Sequence, residues 1–162
     1  MNFIGIDNGV SGSIAILNEE GHVLHYGLTP IERCLNYTKH KAWINRIRQD
    51  AMIVILKDYN RNLGQCLLER PLVNPARFKA TISAIRALES TQIALESLKI
   101  PYEFIDSKEW QRELLPKGLQ KEELKAASDS ICKRLFPSVT LKHPGDGDSL
   151  LIAEYLRRKY TK

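Results

Sequence analysis

A mixed α/β fold is predicted from three features of this sequence. Its first seventeen residues hold two short β-favouring runs around a turn rich in Gly, Asn and Ser. A third run closes a meander by residue 29, after which helix-like and strand-like stretches alternate. Residues 76–99 and 121–135 repeat apolar side chains at three- and four-residue steps, the pattern of helices lying on a core. No repeat, linker or low-complexity segment divides the 162 residues, so the expectation is one domain over 1–162 with a mixed five-stranded sheet flanked by helices.

In chain order, strands are expected at 2–7, 12–18 and 22–29, with Asn18-Glu19-Glu20-Gly21 linking the second to the third and Pro30 ending the meander. A helix is predicted over about 38–58, with Trp43, Ile47, Ala51, Val54 and Ile55 on one side, although Ile53-Val54-Ile55 is a β-branched run. Asn60 to Gly64 breaks it, and 65–70 reads as a buried strand that ends in charge before Pro71. Along the helix at 76–99, Phe78, Ile82, Ile85, Leu88, Leu95 and Leu98 recur at three- and four-residue steps or multiples of them with basic residues between, and it stops before Pro101. A fifth strand follows at 102–105. Asp106 with Glu109 then makes a capping-box start for a short helix carrying Trp110, Leu114 and Leu115. The helix at 121–135 turns Leu124, Ala127, Ile131 and Leu135 inward and stops before Pro137; an irregular loop spans 142–147, and a last amphipathic helix starts at Asp148.

Composition narrows the function classes. Hydrophobic residues make up 43% and charged residues 27%, as in ordinary water-soluble domains. The net charge of +5 and pI near 9.1 suit a nucleic-acid ligand without requiring one. Cys34, Cys66 and Cys132 are odd in number and widely spaced, which argues against a disulfide framework or a cysteine zinc site and for a reducing compartment. Asp7 interrupts the N-terminal apolar run, so no signal peptide is read there, and no apolar stretch approaches the ~20 residues of a membrane span. A cytoplasmic location is expected.

Three carboxylates share a placement. Asp7 ends the first strand, Glu69 ends the fourth and Asp148 opens the last helix. If the first and fourth strands are parallel neighbours, Asp7 and Glu69 project into one crevice at the strand ends, where α/β sheets bind ligands. A helix N-terminus favours the ionised form of Asp148. Converging carboxylates repel one another unless divalent cations fill the gap, and hard oxygen ligands select Mg²⁺ or Mn²⁺ over zinc. Taken singly, each acid also reads as the solvated end of an element, and Asp7 as a turn cap or part of a phosphate-binding loop.

The residues Ile4-Gly5-Ile6-Asp7-x-Gly9-x-x-Gly12-Ser13-Ile14-Ala15, Leu68-Glu69-Arg70-Pro71, Trp110-Gln111, Lys125-x-x-Ser128, Arg134-Leu135-Phe136-Pro137 and Asp148-Ser149-Leu150-Leu151-Ile152-Ala153-Glu154-Tyr155 resemble RuvC-type Holliday junction resolvases, most of all the short phage-like and organellar-like branch. The landmarks run from residue 3 to 156 in family order. The resemblance implies an RNase H-like fold, a homodimer and Mg²⁺-dependent nicking of four-way DNA junctions in symmetric pairs that leave 5′-phosphate and 3′-OH ends, with Mn²⁺ able to substitute and no small-molecule cofactor. It makes Asp7, Glu69 and Asp148 the acidic metal ligands. A fourth ligand is expected just before the last Asp, where His143 and Asp146 are the candidates and His143 is preferred. Here the sequence departs from the family, with Pro144 where Asp is frequent and Asn8 where Pro is usual. Lys125 is the candidate for offsetting charge on the reacting phosphate. Arg77, Lys79, Arg86, Lys117 and Lys121 are candidates for holding DNA phosphates, and Phe78 for stacking on unpaired bases. A solvated helix face accounts for Arg77, Lys79 and Arg86 equally well, and core packing for Phe78.

Two other classes compete. An ATP-binding protein of the actin and sugar-kinase type shares the Asp-x-Gly-x-x-x-Gly loop but needs a second phosphate loop and more chain. A non-catalytic DNA-binding protein of the same fold predicts loss of a core acid, and all three are present. Nucleases acting on flaps or forks remain within the same reading.

Overall fold

The computed structural model describes residues 1–62, 64–143 and 145–161, with all of their side chains except that of Lys121. Among these residues, seven strands and five α-helices follow in the order β1 (Phe3–Asp7), β2 (Ser13–Leu17), β3 (Val23–Leu28), β4 (Ile31–Leu35), β5 (Trp43–Ile47), α1 (Gln49–Tyr59), β6 (Gln65–Glu69), α2 (Phe78–Ser97), β7 (Tyr102–Ile105), α3 (Ser107–Leu114), α4 (Lys121–Leu135) and α5 (Asp148–Tyr160). Five strands form one sheet in the order β3-β2-β1-β6-β7, antiparallel from β3 to β1 and parallel from β1 to β7.

Alternation along the central strands divides the core between the two faces. Ile4, Ile6, Ile14, Ile16, Cys66 and Leu68 pack with α1 and α2, whereas Phe3, Ala15, Leu17 and Leu67 pack with α3, α4 and α5. Residues 149 to 156 of α5 are all buried, so this helix is a central element rather than a surface one. Its buried acid, Glu154, receives Arg157 Nε at 2.8 Å and Arg158 Nε at 2.7 Å. Burial alone would raise its carboxyl, but these guanidinium hydrogen bonds outweigh that and hold it below the usual range. The predicted capping box at Asp106 and Glu109 is present, and α4 spans the predicted residues.

The segment read as a helix over 38–58 differs. Its first part holds the turn and second strand of the β4–β5 hairpin, a two-stranded sheet in which Ile31 pairs with Ile47 and Leu35 with Trp43. Asn36 holds the turn, its Oδ1 accepting from Ala42 N at 3.2 Å and Thr38 Oγ1 at 2.9 Å. The helix begins only at Gln49 and buries Met52 and Leu56, while Trp43 is 59% exposed and Val54 is also exposed. In helix α2 the apolar series divides: its buried residues are Ala87, Thr91, Ala94 and Leu95, whereas Phe78, Ile82 and Ile85 are exposed. Small residues on the buried side let α2 lie close to its neighbours, which leaves the larger apolar stripe of its first half outside.

Candidate active site

Asp7 and Glu69 meet because of register. Parallel pairing sets Ile6 opposite Leu68, so the next residue on each strand leaves the sheet beside the other at the C-terminal edge. Both have the parity of Leu67 and Phe3 and so belong to the face covered by α5. At the start of α5 stands Asp148. Gly5 permits this approach, since a Cβ there would run into Ser149 O and the Ala153 backbone. Gly12 does the same for the β1–β2 turn, where a Cβ would run into Asp7 O.

Burial first, and then the charges of Glu69, Asp148 and Asp146, raise the Asp7 carboxyl well above its usual range. The nearness of the two carboxyls couples them, so that holding a proton on Asp7 eases the charge on Glu69. Glu69 is raised by burial and by the Asp148 charge, against the opposing hydrogen bonds from Asp7 and Trp110. Trp110 Nε1 donates to Glu69 Oε1 at 3.4 Å. Asp148 is likewise raised, burial outweighing the Ser128 hydroxyl that donates to its Oδ1 at 2.6 Å. The expectation that its helix N-terminus would favour the ionised form is therefore overridden by desolvation.

The loop before α5 is tied from three sides. The Asp146 carbonyl accepts Ser13 Oγ at 2.9 Å and Tyr26 Oη at 3.2 Å. Asp129 Oδ1 accepts Gly145 N at 3.0 Å, and Asp146 Oδ2 accepts His143 N at 2.7 Å. Burial and the Asp146 charge push the Tyr26 phenol up to about 12, so it stays a donor.

Two clefts meet at Asp7. One, of about 410 Å³, is lined by Asp7, Asp148, Lys125, His143 and Asp146, so both candidates for a fourth ligand face it. The other, of about 350 Å³, is lined by Asp7, Glu69, Arg70 and Arg77. Phe78, Lys79 and Arg86 lie elsewhere, on a cavity between α2 and the β4–β5 hairpin. Lys117 is exposed in the loop between α3 and α4 and lines neither cleft at Asp7. The side chain of Lys121 lies outside the described residues.

Among the described residues, no three His, Cys, Asp or Glu side chains form a ready-made ligand set for a metal ion. The carboxylates are instead engaged with protein partners: Asp148 with Ser128, Glu69 with Trp110 and Asp146 with His143 N. The donor chemistry nonetheless fits a hard divalent cation. Three mutually repelling carboxylates are raised by burial and by their own proximity, and Asn8 Oδ1 beside them is buried without a hydrogen-bond partner. Each of these hydrogen bonds occupies one carboxylate oxygen, which leaves the other lone pairs of the group open to a cation.

No family model matches the chain, and no curated protein matches it. Among solved structures, RuvC of Thermus thermophilus in complex with Holliday junction substrate superposes with a TM-score of 0.60 at 13% identity, over 99% of this chain and 97% of that one. A second structure of Thermus thermophilus RuvC gives 0.59 at 15% identity, over 99% and 98%. The fold is RNase H-like. Its mixed five-stranded sheet with flanking helices is the architecture expected from the sequence, here in a RuvC-like form.

Within this RNase H-like frame, several groups at the site were not singled out as site residues from the sequence. Arg70 lies one residue past Glu69 and lines the same cleft, with its guanidinium 3.6 Å from Asp106 and over the Phe104 ring. Its position next to a strand-end acid was a usable signal. Ser13, Tyr26 and Asp129 act through tertiary contacts more than fifteen residues away, which no local pattern reveals. Ser128 stands in a motif segment, and its effect is testable. Removing its hydroxyl in Ser128→Ala takes away the hydrogen bond that lowers the Asp148 carboxyl, so the Asp148 titration followed by carboxyl NMR in chelator should move to higher pH. An unmoved titration would mean that the hydroxyl does not hold Asp148.

Proposed function

We propose that this chain is a divalent-metal-dependent endodeoxyribonuclease that resolves four-way DNA junctions by paired nicks, leaving 5′-phosphate and 3′-OH ends. The observation that carries the reading is that Asp7 lines both clefts and feels the charges of Glu69 and Asp148, with Asp148 and Lys125 lining one cleft and Glu69, Arg70 and Arg77 the other. The likeness of fold to a RuvC seen with a Holliday junction, and the resemblance of the sequence motifs to those of RuvC-type resolvases, support the same substrate class.

Asp7, Glu69 and Asp148 would hold Mg²⁺ or Mn²⁺, with His143 or Asp146 completing the set. The bound ion supplies stabilisation of the charge that develops on the phosphate and eases deprotonation of the attacking water. The chain's own residues do the rest. Lys125 sets a positive charge beside Asp148 and toward the reacting phosphate. Arg70 and Arg77 grip backbone phosphates in the second cleft, which holds the strand across Asp7. Two copies are required for paired nicks, and the resemblance to the resolvase family implies an isologous homodimer. Sedimentation at micromolar concentration tests this, and a monomer would remove it.

The deciding experiment incubates purified protein with a synthetic four-way junction in Mg²⁺, in Mn²⁺ and in chelator, beside flaps, forks and linear duplex. Symmetric nicks on the junction, lost in chelator and in Glu69→Gln, are the expected result. Binding without nicks in either metal would leave a junction-binding protein, and preferential cutting of flaps or forks would reassign the substrate. Arg77→Ala should weaken binding to all DNA alike and reduce the slope of log affinity against log salt by about one. An unchanged slope would take Arg77 off the phosphate path.

A further inference from the structure

The β4–β5 hairpin, which the sequence pattern did not predict, forms a second concave surface with α2. Two adjoining cavities of about 430 and 600 Å³ lie between them and share Tyr37, Ile44, Asn45 and Arg86. Three aromatic rings stand exposed around the larger: Tyr37 is 88% exposed, Phe78 69% and Trp43 59%. Single exposed rings are ordinary, but three grouped with Ile44 and Ile82 on one concavity form a contiguous patch of the kind that marks a binding surface. Two of them carry guanidinium groups, with Arg33 5.2 Å from the Trp43 ring centre and Arg86 5.8 Å from that of Tyr37.

Charge selects the occupant. Residues 31–47 carry Arg33, Lys39, Lys41 and Arg46 against Glu32 alone, and α2 adds Lys79 and Arg86 at the cavity against Glu89. Exposed aromatic faces interleaved with cations are what single-stranded nucleic acid needs: stacking for bases and positive charge for the backbone. The surface is also coupled to the carboxylates. Val10, in the turn after Asp7, lines both cavities, and Asn8 Nδ2 of that turn donates to Ala84 O of α2 at 3.2 Å.

We infer that the groove between the β4–β5 hairpin and α2 binds unpaired DNA, with bases stacked on Tyr37 and Trp43 and phosphates on the cations around them. The inference rests on the DNA-processing reading above and extends it to a site beyond the carboxylates. In a branched substrate this groove would take bases freed from pairing near the cut.

The test uses a fluorescein-labelled oligo-dT, with blunt duplex and four-way junction as comparators. Trp43→Ala and Tyr37→Ala, both at exposed positions, should each weaken oligo-dT binding about tenfold, and Trp43→Phe should keep most of the affinity. The chain has two tryptophans, of which Trp110 is buried. Oligo-dT should therefore quench intrinsic fluorescence in the wild type and not in Trp43→Phe. Unchanged oligo-dT affinity in both alanine variants would overturn the inference. So would a change in sedimentation without a change in DNA binding, which would assign the groove to a second copy of the chain. A wild type that nicks junctions while the alanine variants bind oligo-dT normally removes this inference and leaves the nuclease. Loss of oligo-dT binding in the variants of a protein that nicks nothing does the reverse.

Discussion

Asp7→Asn is expected to abolish nicking and at the same time to make the metal-free protein more stable. The two effects share one cause. The folded state buries Asp7 among Glu69, Asp148 and Asp146, and its carboxyl is raised well above its value in the unfolded chain. A raised carboxyl binds its proton more tightly folded than unfolded, so the metal-free fold is favoured at low pH. That contribution is lost as pH climbs from about 4, the ordinary carboxyl value, through the folded-state values of the cluster. An amide in place of Asp7 carries no such charge. Every tenfold difference in proton affinity between the folded and unfolded carboxyl that the amide removes is worth about 1.4 kcal/mol. In a chain of this size that corresponds to roughly 3–5 °C in melting temperature. Thermal melts in chelator at neutral pH should place Asp7→Asn above the wild type, with the gap closing toward about pH 4. Mg²⁺ should raise the wild-type melting temperature and leave the variant unmoved, because a ligand stabilises only the state that binds it. A variant that melts below the wild type in chelator would mean that the carboxylates are not in mutual repulsion. The candidate site would then lose its electrostatic basis.

The same physics separates what the sequence made legible from what it hid. Asp7, Glu69 and Asp148 were readable because each is a carboxylate at the boundary of an element whose period is strong, and parallel pairing brings the first two together. The hairpin at 31–47 was hidden by an arithmetic coincidence. Trp43, Ile47 and Ala51 are four residues apart, a spacing compatible with a helical turn and equally with a strand's alternation. The strand ends at Ile47 and the helix begins two residues later, so one apolar series runs across two different structures. In α2 the helical period was legible, but which part of it meets the core was not. Phe78, Ile82 and Ile85 keep helical spacing, but spacing alone does not tell a stripe that meets a core from one left open to solvent. Ser13 stands in the first motif, but the anchoring roles of Ser13, Tyr26 and Asp129 are not readable from local pattern, because each serves a backbone atom distant along the chain.

Gly5→Ala should produce the opposite pair of effects, losing both stability and cutting. Helix α5 is seated directly on β1, and a methyl group at residue 5 would meet Ser149 O and the Ala153 backbone rather than a side chain free to turn away. Backbone cannot yield by changing rotamer, so α5 must lift from the sheet. Overpacking of this kind costs about 1–3 kcal/mol. For this chain length the melting temperature should fall by roughly 3–10 °C. The lift also acts at a distance, because Asp148 is the first residue of the same helix and Ser149 holds Ser13 through a 2.7 Å hydroxyl contact. Nicking should therefore drop further than the fall in folded fraction explains, and raising Mg²⁺ should recover part of it. In a metal titration, Asp7→Asn would gain stability yet gain no activity at any Mg²⁺ concentration, whereas Gly5→Ala would lose stability yet respond to the ion. If Gly5→Ala instead melts and cuts like the wild type, α5 does not rest on β1 at that point. Asp148 would then have no fixed relation to Asp7 and Glu69.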